Sequence, residues 1–134
     1  MAANKIIRFG PVALSTTTTT NIINPPTLTG GTGLAGTNTN TYVVLRHVRI
    51  ANKTTAAASC ALWLGATGAN AAGTEVIVGG IASAGALTNG VSIAAGSYLD
   101  WYGQLRLDVA DFLVGGAVTA TALTIEAEGE IGIV

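Results

Sequence analysis

The last twelve residues, Leu123 to Val134, read LTIEAEGEIGIV. Glu126, Glu128 and Glu130 alternate with Ile125, Ala127, Gly129 and Ile131, a period of two. A helix advances 3.6 residues per turn and would scatter these carboxylates around its axis, whereas a strand places every second side chain on one face. The stretch therefore predicts a strand with Leu123, Ile125, Ala127, Ile131 and Ile133 toward a core. The three glutamates then point outward, about 7 Å apart in succession.

The same period recurs upstream. In TYVVLRHVRIAN, from Thr41, strict alternation places Tyr42, Val44, Val48 and Ile50 on one face, and Val43, Leu45, His47 and Arg49 on the other. SCALWLG reads as a strand in which Cys60, Leu62 and Leu64 alternate with Trp63, and EVIVGG, GVSIAAG, SYLDWYG, QLRLDV and DFLVGG continue the series. Gly, Asn and Ala cluster between these runs, and no segment carries a 3.6 period with helix start and stop signals. Residues 1–14 read as a short strand or arm. Residues 15–41, with a β-branched Thr run, Asn24-Pro25-Pro26 and a Gly-Thr-Asn tail, read as an extended arm or long loop. The expectation is an all-β antiparallel sandwich or jelly roll over residues 42–134, preceded by an N-terminal strand and extended arm over residues 1–41.

Charge narrows the chemistry. Only 10% of residues are charged, against about 25% in an average domain. The first 53 residues hold five bases and no acid, and residues 54–134 hold Arg106 against seven acids, so the two parts carry +5 and −6 within a net charge of −1. Five bases over that length, with no pattern of stacking aromatics, are too sparse for a nucleic-acid groove, so no nucleic-acid partner is expected. The split predicts instead a front that attracts its own back or a neighbour's. Candidate contacts are Lys5, Arg8, Arg46 and Arg49 with Glu126, Glu128 and Glu130. The uncharged spans are interrupted by Gly, Thr and Asn, so no membrane-spanning helix is expected. MAANKIIRFGP has no apolar core of signal-peptide length, because Arg8 follows Ile6 and Ile7 at once.

Reactive constellations are sparse. Gly31, Gly33 and Gly36 match G-x-G-x-x-G, but NPPTLTG before them and TNTNTYVV after them do not supply the strand and helix of a dinucleotide site. His47 is the one histidine and Cys60 the one cysteine, which leaves no zinc site, and His47 sits mid-strand, away from any nucleophile turn. Cys60 reads as a small buried hydrophobe. Asp108 and Asp111 in LDVADFL offer either an acid–base or calcium pair, or a turn whose carboxylates accept from backbone N–H groups; the turn is the plainer reading. No catalytic residue, cofactor or metal is expected, and hence no enzyme. YLDWY gathers Tyr98, Trp101 and Tyr102, candidates for a protein interface or for stacking a sugar ring of host carbohydrate.

LRHVRIANKTTAAASCALWLG, followed by IAAGSYLDWYGQLRLDVADFLVGGAVTATALTIEAEGEI, resembles a recurring small β-sandwich module of tailed-bacteriophage virion proteins. The pattern is a strand ending in an Asn turn, an "LWLG" strand, a Gly turn before an aromatic strand, an "L-x-L…D" turn, and a final strand near an acidic "E-I"; it covers residues 42–131. One departure is the turn after Leu107, DVAD, where a Gly-Asp type turn is expected. The resemblance implies a non-enzymatic, homo-oligomeric structural part of the virion: a capsid decoration or minor capsid protein, a trimer favoured, bound to the major capsid or another virion protein. A neck or tail-fibre protein is the alternative within the same class.

Overall fold

The computed structural model of the chain describes residues 5–23, 41–71, 73–77 and 90–133. Among these residues there are eight strands and no helix: β1 (Lys5–Ala13), β2 (Asn21–Ile23), β3 (Thr41–Asn52), β4 (Ala58–Gly65), β5 (Val91–Ile93), β6 (Tyr98–Leu107), β7 (Phe112–Ala117) and β8 (Leu123–Ile133). They form two four-stranded sheets, with orders β1-β8-β3-β6 (the first sheet) and β2-β7-β4-β5 (the second). Every paired neighbour is antiparallel. The fold is thus an all-β sandwich. The pairs β1·β8, β2·β7, β3·β6 and β4·β5 describe one long hairpin folded in half at the β4–β5 connection, its successive rungs falling alternately in the two sheets.

The core lies between the sheets. The first sheet contributes Ile7, Phe9, Val43, Leu45, Val48, Ile50, Leu107, Leu123, Ile125, Ala127 and Ile131, and the second Ile22, Ile23, Cys60, Leu62, Leu113 and Ala117. Burying each large aliphatic side chain contributes about 1.5–3 kcal/mol, and these contacts set the phase of every strand. β8 places Leu123, Ile125, Ala127 and Ile131 in the core as predicted, and the side chain of Ile133 lies outside what the structure describes. The N-terminal segment is built into the same sandwich: β1 lies in register along β8, β2 pairs with β7, and Ile7, Phe9, Leu14, Ile22 and Ile23 are core residues. The drop in apolar content before residue 42 does not mark an edge of the folded body. Residues 24–40, which include the Gly31, Gly33 and Gly36 motif and most of the expected arm, lie outside the described residues. Of the expected EVIVGG strand, Glu75 forms an isolated bridge with Trp63, and residues 78–80 lie outside the described residues.

β3 departs from the expected alternation. Val43, Leu45, Val48 and Ile50 all face the core, while Val44, Arg46, His47 and Arg49 face outward. The cause is a β-bulge. Leu45 pairs with Gly129 and His47 with the adjacent Glu128, so Arg46 is one residue too many for β8. An inserted residue inverts the inside–outside parity of everything on one side of it. The bulge draws the backbones together: a Cβ on Gly129 would overlap the Val44 carbonyl oxygen and also meet Leu45 Cα at 3.1 Å.

A second fixed point is Asn52, the one fully buried polar side chain in the described core. Its Nδ2 donates to the carbonyls of Ala56 (2.9 Å) and Ile93 (3.0 Å), and its Oδ1 accepts from the Thr54 N–H (3.0 Å) and hydroxyl (2.6 Å). It shapes the β3–β4 turn and ties that turn to β5 in the opposite sheet.

Two stability predictions follow from these contacts. Gly129→Ala is expected to cost about 1–3 kcal/mol in urea unfolding, because backbone must move, whereas the atoms nearest a Cβ at Gly132 belong to the half-buried Tyr42 ring, a side chain that is able to rotate, and Gly132→Ala should cost less. Asn52→Leu removes the side-chain donor to the Ile93 carbonyl and the acceptor of the Thr54 N–H, while the Thr54 hydroxyl still reaches the Ala56 carbonyl at 3.0 Å, and it should cost about 1–3 kcal/mol; equal midpoints for wild type and variant would contradict the assigned role.

Candidate interaction surface

The outer surface of the first sheet is built by the alternation that builds the core. β8, an inner strand, presents Glu126, Glu128 and Glu130, with β1 on one side and β3 on the other. Register sets Arg8 opposite Glu128 from β1, and His47 opposite Glu128 and Arg49 opposite Glu126 from β3. The basic front and the acidic back of the sequence therefore meet within one chain. The bulge gives Arg46 its own outward direction, and its Nη2 donates to Glu130 Oε2 at 2.9 Å. Arg8, Glu126 and Glu128 form no ion pair within 4.0 Å among the described residues. Lys5 heads β1 opposite Ile131, and its side chain lies outside what the structure describes.

Asp100, on β6, organises the next rung. Arg49 grips it with two donors, Nε to Oδ1 at 2.7 Å and Nη2 to Oδ2 at 2.9 Å, and His47 Nε2 lies 2.9 Å from Oδ1. The Arg49 guanidinium, then the His47 ring, hold the Asp100 carboxyl down at about 2, and the same bond raises Arg49 further above its ordinary value. Aromatic rings flank this cluster. Tyr102 stacks on His47 with centroids 4.5 Å apart and planes 13° from parallel, and the Arg49 guanidinium sits 4.4 Å from the Tyr98 ring centre. Further along β6, Arg106 donates to Asp108 at 2.6 Å and covers the Tyr42 ring at 4.3 Å.

Alternation separates the three aromatics of YLDWY. Tyr98 and Tyr102 point outward, whereas Trp101 pairs with the buried Val48 and packs on the core side. The same count would have placed Asp100 beside the two tyrosines, since it lies two residues from each. Among the described residues five large apolar or aromatic side chains are exposed, and three sit on this face: Ile6 at 84%, Tyr102 at 71% and Tyr98 at 59%. Where Gly129 faces the bulge there is a shallow cavity of about 130 Å³, lined by Ile6, Arg46, His47, Glu128, Gly129 and Glu130.

The remaining candidates are structural. Asp111 Oδ2 accepts from the Asp108 N–H at 2.9 Å, and the Asp111 N–H returns a bond to the Asp108 carbonyl, so LDVADF is a carboxylate-closed turn. Cys60 is fully buried, and desolvation pushes its thiol up to about 12, so it is protonated and enclosed by the core. Among the described residues, no three His, Cys, Asp or Glu side chains gather as a metal ion requires.

The depressed Asp100 carboxyl has a direction in pH. A carboxyl held lower in the folded state than in the unfolded one adds stability above the ordinary aspartate value of about 4, and that contribution is lost as pH falls toward about 2. The difference in unfolding midpoint between wild type and Asp100→Asn should therefore be full at neutral pH and shrink through this window. A difference independent of pH would show that the charge on Asp100 is not what holds the cluster.

Comparison with models of known protein families and with curated proteins finds none that matches this chain.

Proposed function

We propose that this chain is a structural protein of a tailed-bacteriophage virion, a capsid decoration or minor capsid protein that assembles with copies of itself and binds the shell. The observation that carries the reading is the outer surface of the first sheet, where Ile6, Tyr98 and Tyr102 stand exposed among charged groups held by long-range bonds. A preorganised surface of exposed aromatics, arginines and mixed charge suits docking to another surface. Two further features support it. The strand orders β1-β8-β3-β6 and β2-β7-β4-β5 support reading the sandwich as a jelly roll, an architecture of viral capsid proteins and lectins, by analogy of fold. The sequence resemblance over residues 42–131 points the same way.

In this reading Glu126 and Glu128, which form no ion pair in the described residues, receive basic groups of a neighbour, and Glu130 is held by Arg46. A neck or tail-fibre position would use the same surface. The exposed Tyr102 ring beside Asp100 also favours a second reading, a carbohydrate-binding surface; Tyr102→Ala would then abolish glycan binding, whereas no glycan response from the wild type would remove that reading.

Immunogold labelling of virions from the encoding phage, with an antibody raised to the purified chain, tests the proposal directly. Gold on the capsid is expected, and unlabelled particles would overturn it. Replacing Glu126, Glu128 and Glu130 with Lys should lower the assembled mass in light scattering while the far-ultraviolet spectrum stays that of a β protein; unchanged assembly would remove the glutamate row from the contact.

A further inference from the structure

A sandwich of two open sheets has four edge strands, each a row of unpaired backbone donors and acceptors to be protected from unwanted pairing. Three are blunted here. β2 and β5 are three residues long each. β1 carries Pro11, which has no N–H, beside Gly10 at φ +83°, with its register broken between Phe9 and Val12. The fourth edge, β6, is ten residues long and contains no proline and no lysine. It pairs with β3 alone among the described strands.

The inner face of β6 is also incomplete. Leu99, Trp101 and Leu105 point toward the core yet remain only half-buried, whereas their β3 partners Ile50, Val48 and Leu45 are fully enclosed. The Trp101 ring lies against Gly103, where a Cβ would meet it at 2.6 Å, so the backbone at the middle of β6 carries no side chain of its own. The sequence of β6 is self-complementary about Gly103. Running antiparallel to a copy of itself with Gly103 at the two-fold axis, it sets Leu99 opposite Leu107, Trp101 opposite Leu105, and Asp100 opposite Arg106. Directly opposed residues share a face, so the apolar pairs fall on the core side and the charged pair outside. Asp100 already accepts from Arg49 and His47, and a carboxylate has sites for about four donors.

We propose that two copies of this chain join edge to edge through β6, in an antiparallel ladder centred on Gly103 that merges their first sheets into one sheet of eight strands. The proposal deepens the assembly reading above and rests on it. A two-fold ladder uses the same patch on both partners and closes at two copies, so it builds dimers, or even-numbered assemblies of dimers, where the sequence resemblance implies a trimer. Burial of the Leu99–Trp101–Leu105 row supplies the apolar part of the contact, and the two symmetry-related Asp100–Arg106 pairs fix the register.

The test is cysteine cross-linking of the full chain, with buried Cys60 left in place. Gln104 is exposed on β6, and diagonal neighbours across a ladder lie about 7–8 Å apart. Gln104→Cys treated with a short bismaleimide should give covalent dimers, and Ile6→Cys on the opposite edge should not. Adding Arg106→Glu opposes two pairs of like charges and should weaken association about tenfold. A solution dimer that cross-links through Gln104 supports the ladder. An oligomer that cross-links through Ile6 and not through Gln104 overturns the ladder and leaves the assembly reading standing. A chain monomeric in sedimentation also overturns the ladder, and gold labelling of virions, which does not involve β6, then decides the assembly reading alone. Cross-linking of Gln104 only to a different polypeptide would overturn self-pairing.

Discussion

One inserted residue in β3 governs the first sheet. Arg46 has no counterpart on β8, where Gly129 and Glu128 pair with the residues on either side of it. Without the insertion, a strand that buries Val48 and Ile50 would also bury Val44 and turn Val43 and Leu45 to water. With it, four aliphatic side chains reach the core, and two consecutive polar residues, Arg46 and His47, face outward. Arg46 then reaches Glu130, and His47 reaches Asp100 beneath Tyr102. The close approach of the two backbones explains why the position opposite is glycine, and the small cavity at the centre of the surface lies beside it.

The two sheets treat their outer faces differently. On the second sheet Trp63, Ala61 and Val114 are buried on the side away from the main core, as a small cluster of their own with Phe112 against it. They are covered because turns from opposite sides of β4 and β7 meet above them: Asn70 bonds Thr18 and Gly68 bonds Asn21, each at 2.9 Å. Gly116 permits the fit, since a Cβ there would strike the Ser15 carbonyl at 2.8 Å. Among the described residues the first sheet has no such cover over Ile6, Tyr98 and Tyr102, and these side chains stand exposed. Individual surface ion pairs contribute only about 0–1 kcal/mol to folding. Their weight lies in fixing the pattern of charge that this face presents.

Much of the fold was legible in the sequence, because period two survives wherever a strand buries one face. The alternation in LTIEAEGEIGIV divides β8 into core and surface from Leu123 to Ile131 as the structure does, and the lone cysteine reads as a core residue and is one. Other features depend on contacts that a local pattern does not contain. The bulge at Arg46 needs β8 beside it to be seen. The burial of Trp63 needs turns some fifty residues apart in sequence to converge, as Thr18 and Asn70 do. The pairing of Arg46 with Glu130 spans 84 residues, so sequence supplied the two charge groups and only the topology joined them. Trp101 was grouped with Tyr98 and Tyr102 by proximity in sequence, where alternation alone would have set it apart. The division at residue 41 followed composition, while the hydrogen-bonding partners of β1 and β2 lie at the far end of the chain.

The inverted parity of β3 is the claim on which this surface stands, and thiol labelling reads it residue by residue. Val43→Cys and Val44→Cys are made separately in the native chain, with buried Cys60 as the unreactive internal reference, and their modification rates are measured below the unfolding transition. The bulge predicts that Cys at 44 reacts readily and Cys at 43 reacts only through unfolding. Protection at 44 with free reaction at 43 would restore simple alternation, remove the bulge, and dissolve the surface built on it.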